Sequence, residues 1–249
     1  MRLRGLPKGS RPAGFEVPCG SAVLVDDVAE SFAAFVCSDM AAKLAEAGLA
    51  KGRYRAALSG GSTAKSCYEA LSRAGGASGV DWGTLELLVG DERCVPPDDA
   101  EANQAMIRAV LLGALDPAPT LYPMDCAAPV AAYEAVVRPR LPLDLVHLGC
   151  GPDGHTASLF PGSKALDARA GSLVARNVDP SGHNPYERLT LTFEAISQSR
   201  VVLITVAGPE KSGALARVVA GDDVPISRVR APEVIWLCDR AVVAGAGLP

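Results

Sequence analysis

The chain has 249 residues, of which 49% are hydrophobic and 21% are charged, and its formal net charge is −4. This composition is typical of a globular protein with enough chain for a core, in one large α/β domain or two small ones. The net negative charge argues against a global basic field for nucleic acid or an anionic membrane, and no apolar run reaches the roughly 18 residues of a membrane span. We therefore predict neither a nucleic acid nor a membrane as a partner.

Seven cysteines are scattered along the chain without a CxxC pair, at positions 19, 37, 67, 94, 126, 150 and 238. An odd, dispersed set predicts no disulfide framework and a reducing compartment, and no apolar stretch resembling a signal peptide follows the basic N-terminus. The expected location is the cytoplasm. Cys150 is interpreted as a small apolar filler, with an exposed thiol as the alternative.

The hydrophobic pattern predicts alternating strands and helices. The first half of the chain gives strands over 22–25, 54–58, 85–89 and 121–124, and helices over 27–47, 64–73 and 103–112. Asp26 or Asp27 can cap the first helix, and Gly48 can end it. The second half gives strands over 143–148, 173–177, 189–193, 201–206 and 234–238, and helices near 156–159 and over 209–219.

This alternation predicts the α/β class, with a largely parallel, doubly wound sheet that carries helices on both faces. Residues 1–14, rich in Gly, Pro and basic side chains, are expected to form a loose arm. No linker divides the rest, so residues 15–249 are predicted to form a single domain.

A glycine pair follows the strand over 54–58, in the segment Ser59-Gly60-Gly61-Ser62-Thr63. Gly60 and Gly61 between a strand and a helix leave N–H groups at the positive end of the helix, which suits a phosphate. The hydroxyls of Ser62 and Thr63 can add hydrogen bonds. The alternative is that Ser62 or Thr63 merely caps the helix.

A charged triplet, Asp91-Glu92-Arg93, follows the strand over 85–89. The planar guanidinium of Arg93 can clamp a phosphate. Asp91 and Glu92 can orient Arg93, contact sugar hydroxyls or transfer protons. The alternative is a solvated charge cluster, although the position after a buried strand favours a functional role.

The segment Gly149-Cys150-Gly151-Pro152-Asp153-Gly154-His155 follows the strand over 143–148. Glycines such as Gly151 and Gly154 allow a sharp turn and a close approach to a ligand. Asp153 and His155 then stand at the carboxyl end of a strand, where ligands bind in open α/β sheets. The spacing of the glycines also matches a dinucleotide fingerprint, but Pro161-Gly162 breaks any helix too early for that unit.

The remaining basic candidates are isolated. His147 lies inside an apolar strand and is interpreted as a core residue or a residue behind the site, whereas His183 lies in a loop and is expected to be solvated. Three histidines so far apart, without matching cysteines or carboxylates, predict no metal site. Arg188 begins a strand and Lys211 begins a helix, and either can supply positive charge to a ligand.

In their order, these segments resemble the 6-phosphogluconolactonase family. The resemblance covers about residues 58–211 and is most specific in Gly151-Pro152-Asp153-Gly154-His155-Thr156-Ala157-Ser158-Leu159-Phe160-Pro161-Gly162. The other matching segments are Leu58–Thr63, Gly90–Arg93 with Val95-Pro96 and Asn103, Asn184-Pro185 with Arg188–Thr192, and Gly208 with Lys211. The chain departs from the pattern at Ala64, Cys150 and Ala102, none of which supplies a group that the chemistry needs.

The resemblance implies a fold like that of glucosamine-6-phosphate isomerase and hydrolysis of 6-phospho-D-glucono-1,5-lactone in the oxidative pentose phosphate pathway, without a metal or organic cofactor. It implies that Thr63, Arg93 and Lys211 grip the 6-phosphate near Gly60 and Gly61, with Arg188 as a further donor. In the mechanism we expect, His155 takes a proton from water and Asp153 orients the imidazole. The oxyanion is held by N–H groups of the glycine turn or by a nearby cation.

Two alternatives remain. A glucosamine-6-phosphate isomerase or deaminase resembles this chain in the glycine loop and the Asp-Gly-His turn, but it carries Asn-Glu-Pro-Gly where this chain has Leu159-Phe160-Pro161-Gly162. A non-catalytic sugar-phosphate sensor is the other alternative, although such regulators carry a helix-turn-helix domain for which residues 1–20 leave no room. The oligomeric state does not follow from the sequence.

Overall fold

A computed structural model describes residues 6, 7, 10–46, 52–76 and 78–249. The strands are β1 (Arg11–Pro12), β2 (Ser21–Val25), β3 (Tyr54–Leu58), β4 (Leu85–Val89), β5 (Asp91–Arg93), β6 (Thr120–Tyr122), β7 (Leu143–Gly149), β8 (Val174–Asn177), β9 (Arg188–Leu191), β10 (Ser199–Val206) and β11 (Glu233–Asp239). The helices are α1 (Val28–Glu46), α2 (Ser62–Gly75), α3 (Asn103–Ile107), α4 (Val130–Val137), α5 (Phe193–Ser197), α6 (Ser212–Ala220) and α7 (Arg240–Gly245).

The main sheet has eight strands in the order β1-β2-β11-β10-β7-β3-β4-β6, and only the pairing of β1 with β2 is antiparallel. The central strands β7 and β10 are buried along nearly their whole length. Because successive side chains point to opposite faces, such a strand must be covered on both faces. The predicted α/β architecture with a largely parallel sheet is confirmed.

A second sheet, of three antiparallel strands in the order β5-β9-β8, was not predicted. Gly90 separates β5 from β4, and its C=O accepts a hydrogen bond from the Leu191 N–H at 2.8 Å, just where β9 ends. The chain thus leaves the main sheet and enters the second one within a single residue. The segments over 173–177 and 189–193 are strands as expected, but they belong to this second sheet.

Several predicted boundaries agree with the structure, and others need correction. The Asp27 carboxylate accepts the Glu30 N–H at 3.0 Å and so caps α1, while the predicted end at Gly48 lies outside the described residues. The predicted helix near 156–159 is wrong: these residues form a turn closed by a bridge between Thr156 and Leu159. Helices α4, α5 and α7 were not predicted, and the strand predicted over 189–193 ends at Leu191.

The arm predicted over residues 1–14 lies partly outside the described residues. Within the described part, Arg11 and Pro12 pair with Leu24 and Val23 of β2. This pairing corrects the expectation of a loose arm for these two residues, since the open edge of β2 offers unpaired backbone groups to a neighbouring segment.

Candidate active site

A cavity of about 230 Å³ opens where the carboxyl ends of β3, β4, β7 and β10 meet. Most of the residues that the sequence predicted for the site line it: Gly60, Gly61, Ser62, Thr63, Asp91, Arg93, Gly151, His155, Arg188 and Lys211. Asp153 and Gly154 do not line the cavity; they lie in the turn that carries His155. Segments that are far apart in the chain therefore converge, because the carboxyl ends of parallel strands share one edge of the sheet.

His155 is held in a fixed orientation by its own turn. Its Nδ1 lies 2.6 Å from Asp153 Oδ1, and the same carboxylate oxygen accepts the His155 N–H at 3.1 Å. The imidazole also packs on Gly151, where a Cβ would overlap the ring. The side chain of His155 remains 21% exposed, so solvent reaches a ring that its neighbours keep in place.

Asp153 is ionised near neutral pH, where a neutral imidazole can accept a proton from water. Burial disfavours its charge, but the hydrogen bonds from the ring and backbone N–H of His155, together with the charge of the ring when it is protonated, outweigh burial and hold the pKa of Asp153 below its usual range. A carboxylate bonded to Nδ1 fixes the tautomer in which Nδ1 carries the proton. In that tautomer Nε2 carries the lone pair.

The glycine pair forms the start of α2. Gly61 is the N-cap, with φ +93°, and no side chain caps the helix. This finding removes the alternative in which Ser62 or Thr63 is merely a cap. Thr63 Oγ1 instead accepts a hydrogen bond from Lys211 Nζ at 2.7 Å, which places the ammonium beside the helix N-terminus.

A buried network ties the glycine loop to the core. Tyr68 Oη lies 2.9 Å from His147 Nδ1 and bonds both the N–H and the C=O of Ser59. His147 Nε2 lies 2.9 Å from Thr205 Oγ1, so both ring nitrogens have partners. Burial, and secondarily the charge of Lys211, lower the pKa of His147 to about 3. His147 is therefore a neutral residue behind the site, as expected, and His183 is exposed.

The charged triplet forms strand β5, and its members have different roles. Asp91 Oδ2 accepts the Ser158 hydroxyl at 2.6 Å, and Arg93 Nη1 donates to the Glu101 C=O at 2.6 Å. The Glu92 carboxylate, 1% exposed, accepts the N–H groups of Arg93, Asn103 and Gln104. Glu92 thus joins β5 to the start of α3.

Arg188 lies directly opposite Arg93 in the pairing of β5 with β9. It is only 5% exposed, and its side chain forms no hydrogen bond with any of the described residues. Its guanidinium carbon lies 6.0 Å from the centre of the Phe160 ring and 6.0 Å from that of Tyr186. A buried cation that lines a cavity without a protein partner is available to an anionic ligand.

The cysteines behave differently from the prediction in one respect. Cys94 and Cys126 form a disulfide across 32 residues of sequence, so the expectation of no disulfide is wrong for this pair. The two residues come together only because the loop after β5 packs beside the loop after β6, a contact that the scattered spacing did not reveal. Cys150 is buried, and burial raises the pKa of its thiol to about 12, in agreement with the filler interpretation.

Ten of the residues that line the cavity were not predicted as site residues, and these four are among them: Asn103, Ser158, Phe160 and Asn184. The carboxamide of Asn103 packs where a Cβ on Gly60 would stand, and its Nδ2 donates to the Asp91 C=O at 2.7 Å. The Phe160 ring lies 5.0 Å from the His155 ring. All four lie in or beside segments that carry the family resemblance, which was the available signal.

Two other kinds of site are lacking among the described residues. No group of three or more His, Cys, Asp or Glu side chains in that part of the chain is arranged to hold a metal ion. None of the helices described there combines the length and apolarity that a membrane crossing needs.

A His–Asp pair beside a cationic, glycine-rich corner, at the carboxyl edge of a parallel sheet, is typical of an α/β enzyme that acts on a small phosphorylated molecule. The model of the family of glucosamine-6-phosphate isomerases/6-phosphogluconolactonase matches residues 27–236. The chain belongs to this family.

Relatives within the family carry the lactonase name. The 6-phosphogluconolactonase of Nostoc sp. is 38% identical over 217 residues, which cover 80% of this chain and 86% of that protein. The crystal structure of 6-phosphogluconolactonase from Thermotoga maritima gives a TM-score of 0.72 at 29% identity, covering 88% of this chain and 99% of that chain.

A monomeric glucosamine-6-phosphate deaminase has the same fold. Its structure gives a TM-score of 0.73 at 18% identity, covering 90% of this chain and 98% of that chain. The fold alone therefore does not separate the two activities, and the site has to distinguish them.

Proposed function

We propose that this protein hydrolyses 6-phospho-D-glucono-1,5-lactone to 6-phospho-D-gluconate. The observation that carries the proposal is the His155–Asp153 pair, 2.6 Å apart, on a cavity that also presents Thr63, Lys211 and Arg93. An imidazole base serves the lactone end of the substrate, and the hydroxyl and cations serve its phosphate end. The ligand is a small phosphosugar lactone, and the proposal involves no nucleic acid or membrane.

The phosphate is bound at the N-terminus of α2. The N-cap residue of α2 is Gly61, which has no side chain to bond the first backbone N–H groups of the helix. These groups can bind an anion, which the helix dipole also favours there. Thr63 and Lys211, already joined by a hydrogen bond, supply a hydroxyl and an ammonium. Arg93 adds a guanidinium that Glu101 holds in place.

His155 activates the attacking water. Nε2 takes a proton from water while the water oxygen forms a bond to the lactone carbonyl carbon. The tetrahedral intermediate collapses by breaking the bond between that carbon and the ring oxygen, and the proton passes from His155 to this oxygen as it leaves. The product acid then ionises in water. Asp153 stabilises the imidazolium that exists between the two proton transfers.

Asp91 is positioned for the sugar hydroxyls. It is 5% exposed, lines the cavity, and uses Oδ2 for the Ser158 hydroxyl. Its other carboxylate oxygen can accept a hydroxyl of the substrate. We assign Asp91 to substrate binding and leave proton transfer to His155.

The residue beside His155 argues against the deaminase alternative. Sugar isomerisation coupled to loss of ammonia needs several acid–base groups, and the resemblance places a glutamate of the deaminases in the segment where this chain has Phe160. Here the Phe160 ring faces the imidazole. An aromatic ring cannot transfer a proton, whereas hydrolysis of an already electrophilic ester needs one activated water.

The assay that tests the proposal measures two products side by side. Acid release from freshly generated 6-phosphogluconolactone should exceed the spontaneous rate in proportion to enzyme concentration, and ammonia release from glucosamine 6-phosphate should stay at background. Ammonia release without acceleration of lactone hydrolysis would replace the proposal with the deaminase. Absence of both activities would favour a non-catalytic sensor.

We also propose the cytoplasm as the site of action, on the basis of the phosphorylated substrate. The five unpaired cysteines agree with a reducing compartment, whereas the Cys94–Cys126 disulfide is unusual there. Fractionation of cells followed by the lactone assay checks this location. Recovery of the activity outside the cytoplasmic fraction would contradict it.

A further inference from the structure

The charge that develops on the carbonyl oxygen of the lactone needs a hydrogen-bond donor. The N–H groups of Gly151 and Gly154, in the turn that carries His155, are already used within that turn. The Gly151 N–H donates to the His155 C=O at 2.9 Å, and the Gly154 N–H donates to the Gly151 C=O at 3.0 Å. The His155 N–H is used as well, by Asp153. These three groups hold the turn together instead of pointing at a ligand, which makes a nearby cation the stronger candidate.

The three cations that line the cavity differ in their partners. Lys211 donates to Thr63 beside the N-terminus of α2. Arg93 has a buried Nε without a partner, but its Nη1 is bound by Glu101. Arg188 alone among them forms no side-chain hydrogen bond with the described residues, and its Nε is also buried without an acceptor.

Arg188 shares a wall of the cavity with His155. The centre of the Phe160 ring lies 5.0 Å from the centre of the imidazole and 6.0 Å from the guanidinium carbon of Arg188. Lys211 is instead fixed beside the first turn of α2 by Thr63. Burial lowers the pKa of Arg188, and the nearby Asp91 carboxylate opposes that shift.

From this geometry we infer that Arg188 donates hydrogen bonds to the carbonyl oxygen of the lactone and stabilises the oxyanion when water adds. The inference rests on the proposed hydrolysis and moves Arg188 from the phosphate to the reacting carbonyl. A guanidinium suits this role because it keeps its proton, and because the buried site strengthens its attraction for the developing charge.

The stability of the protein offers an independent readout. The Arg188 guanidinium is buried without a hydrogen bond to any residue that the structure describes, which opposes folding, so replacement by an apolar side chain of similar length should not destabilise the protein. Arg188→Met should therefore unfold at the same temperature as the wild type or at a higher one. A residue kept for structure alone would give the opposite result, a lower unfolding temperature.

The test measures kcat and the inhibition constant of inorganic phosphate for Arg188→Met, Arg188→Lys and, as the phosphate-site control, Lys211→Met. Loss of one oxyanion donor should lower kcat of Arg188→Met by roughly 10²–10³-fold, and Arg188→Lys should recover part of the loss. The inhibition constant of phosphate should stay within about threefold of the wild type in both Arg188 variants and rise further in Lys211→Met.

Two results would overturn the inference while leaving the proposed function intact. One is a kcat of Arg188→Met within about threefold of the wild type, which would mean that other N–H groups of the turn stabilise the oxyanion. The other is a rise of the phosphate inhibition constant beyond that range, which would make Arg188 a phosphate ligand. A wild-type protein that does not accelerate lactone hydrolysis would overturn the proposed function and this inference together.

Discussion

His155 depends on its neighbours for both its orientation and its tautomer. Asp153 accepts the proton of Nδ1, and Gly151 leaves the space that the ring occupies. The Asp-Gly-His order in the sequence thus orients the histidine through local contacts alone, since one carboxylate bonds both the backbone and the side chain of the histidine two residues later. This compactness is why a short segment of sequence indicates that the two side chains lie together.

Replacement of His155 by alanine should lower kcat by roughly 10²–10⁴-fold, because a positioned general base contributes about that factor. The unfolding temperature should change little, since the imidazole is partly exposed. Steady-state acid release measures the effect. His183→Ala, which removes an exposed histidine, is the matched control and should keep wild-type turnover. Near-normal turnover of His155→Ala would remove this residue from the mechanism.

Among the elements, strand β5 and helix α3 form a unit that carries Arg93, and Glu92 joins them. Its carboxylate accepts two N–H groups at the start of α3, those of Asn103 and Gln104, at 2.7 and 2.8 Å. Because the first N–H groups of a helix have no partner within it, a buried carboxylate here replaces a cap.

Glu92→Ala should lower the free energy of unfolding by roughly 2–4 kcal/mol, since it leaves buried N–H groups without acceptors. It should also raise KM, because the Glu92 carboxylate binds the Arg93 N–H as well as the start of α3, and its loss would displace the Arg93 side chain. Urea unfolding and steady-state kinetics measure the two effects. Glu69→Gln, at an exposed position on α2, serves as the control and should change neither quantity. An unchanged KM in a folded Glu92→Ala protein would separate Glu92 from the placement of Arg93.

The Cys94–Cys126 disulfide joins the loop after β5 to the loop after β6. Closing a loop across 32 residues should stabilise the protein by roughly 2–4 kcal/mol. Dithiothreitol should therefore lower the urea midpoint of the wild type and leave that of Cys94→Ser/Cys126→Ser unchanged. Detection of seven reactive thiols in the denatured, unreduced protein would show that the pair is not oxidised.

At the scale of the whole molecule, the core and the site meet at His147. This imidazole lies in a central strand, with a pKa lowered to about 3, and its partner Tyr68 holds the backbone of Ser59 at the entrance to the glycine loop. The unfolded chain binds a proton at this histidine below about pH 6.5, whereas the folded protein does not until far lower pH. Stability must therefore fall as the pH decreases through this range.

The contribution of His147 should be close to one proton, or about 1.4 kcal/mol per pH unit between roughly pH 6 and pH 4. In His147→Gln, the plot of unfolding free energy against pH should be shallower by that amount. Urea unfolding at several pH values measures the slopes. Equal slopes for His147→Gln and the wild type would mean that His147 is protonated in the folded protein.

The sequence by itself determined the features that depend on neighbouring residues. Apolar runs marked the strands of the main sheet, and glycine pairs and charged triplets marked its carboxyl edge. These patterns are local, because the side chains of a strand or of a tight turn are set by residues close in the chain. The same segments carry the resemblance to the family, so they also indicate the lactonase activity.

The tertiary structure alone decided which distant segments meet. The second sheet pairs Arg93 with Arg188 and leaves the Arg188 side chain buried without a hydrogen-bond partner in the described part of the chain. The disulfide joins Cys94 to Cys126, and residues 156–159 form a turn where local pattern had predicted a helix. Pairing across so many residues depends on the packing of the whole chain, which leaves no periodic signal in the sequence around either partner.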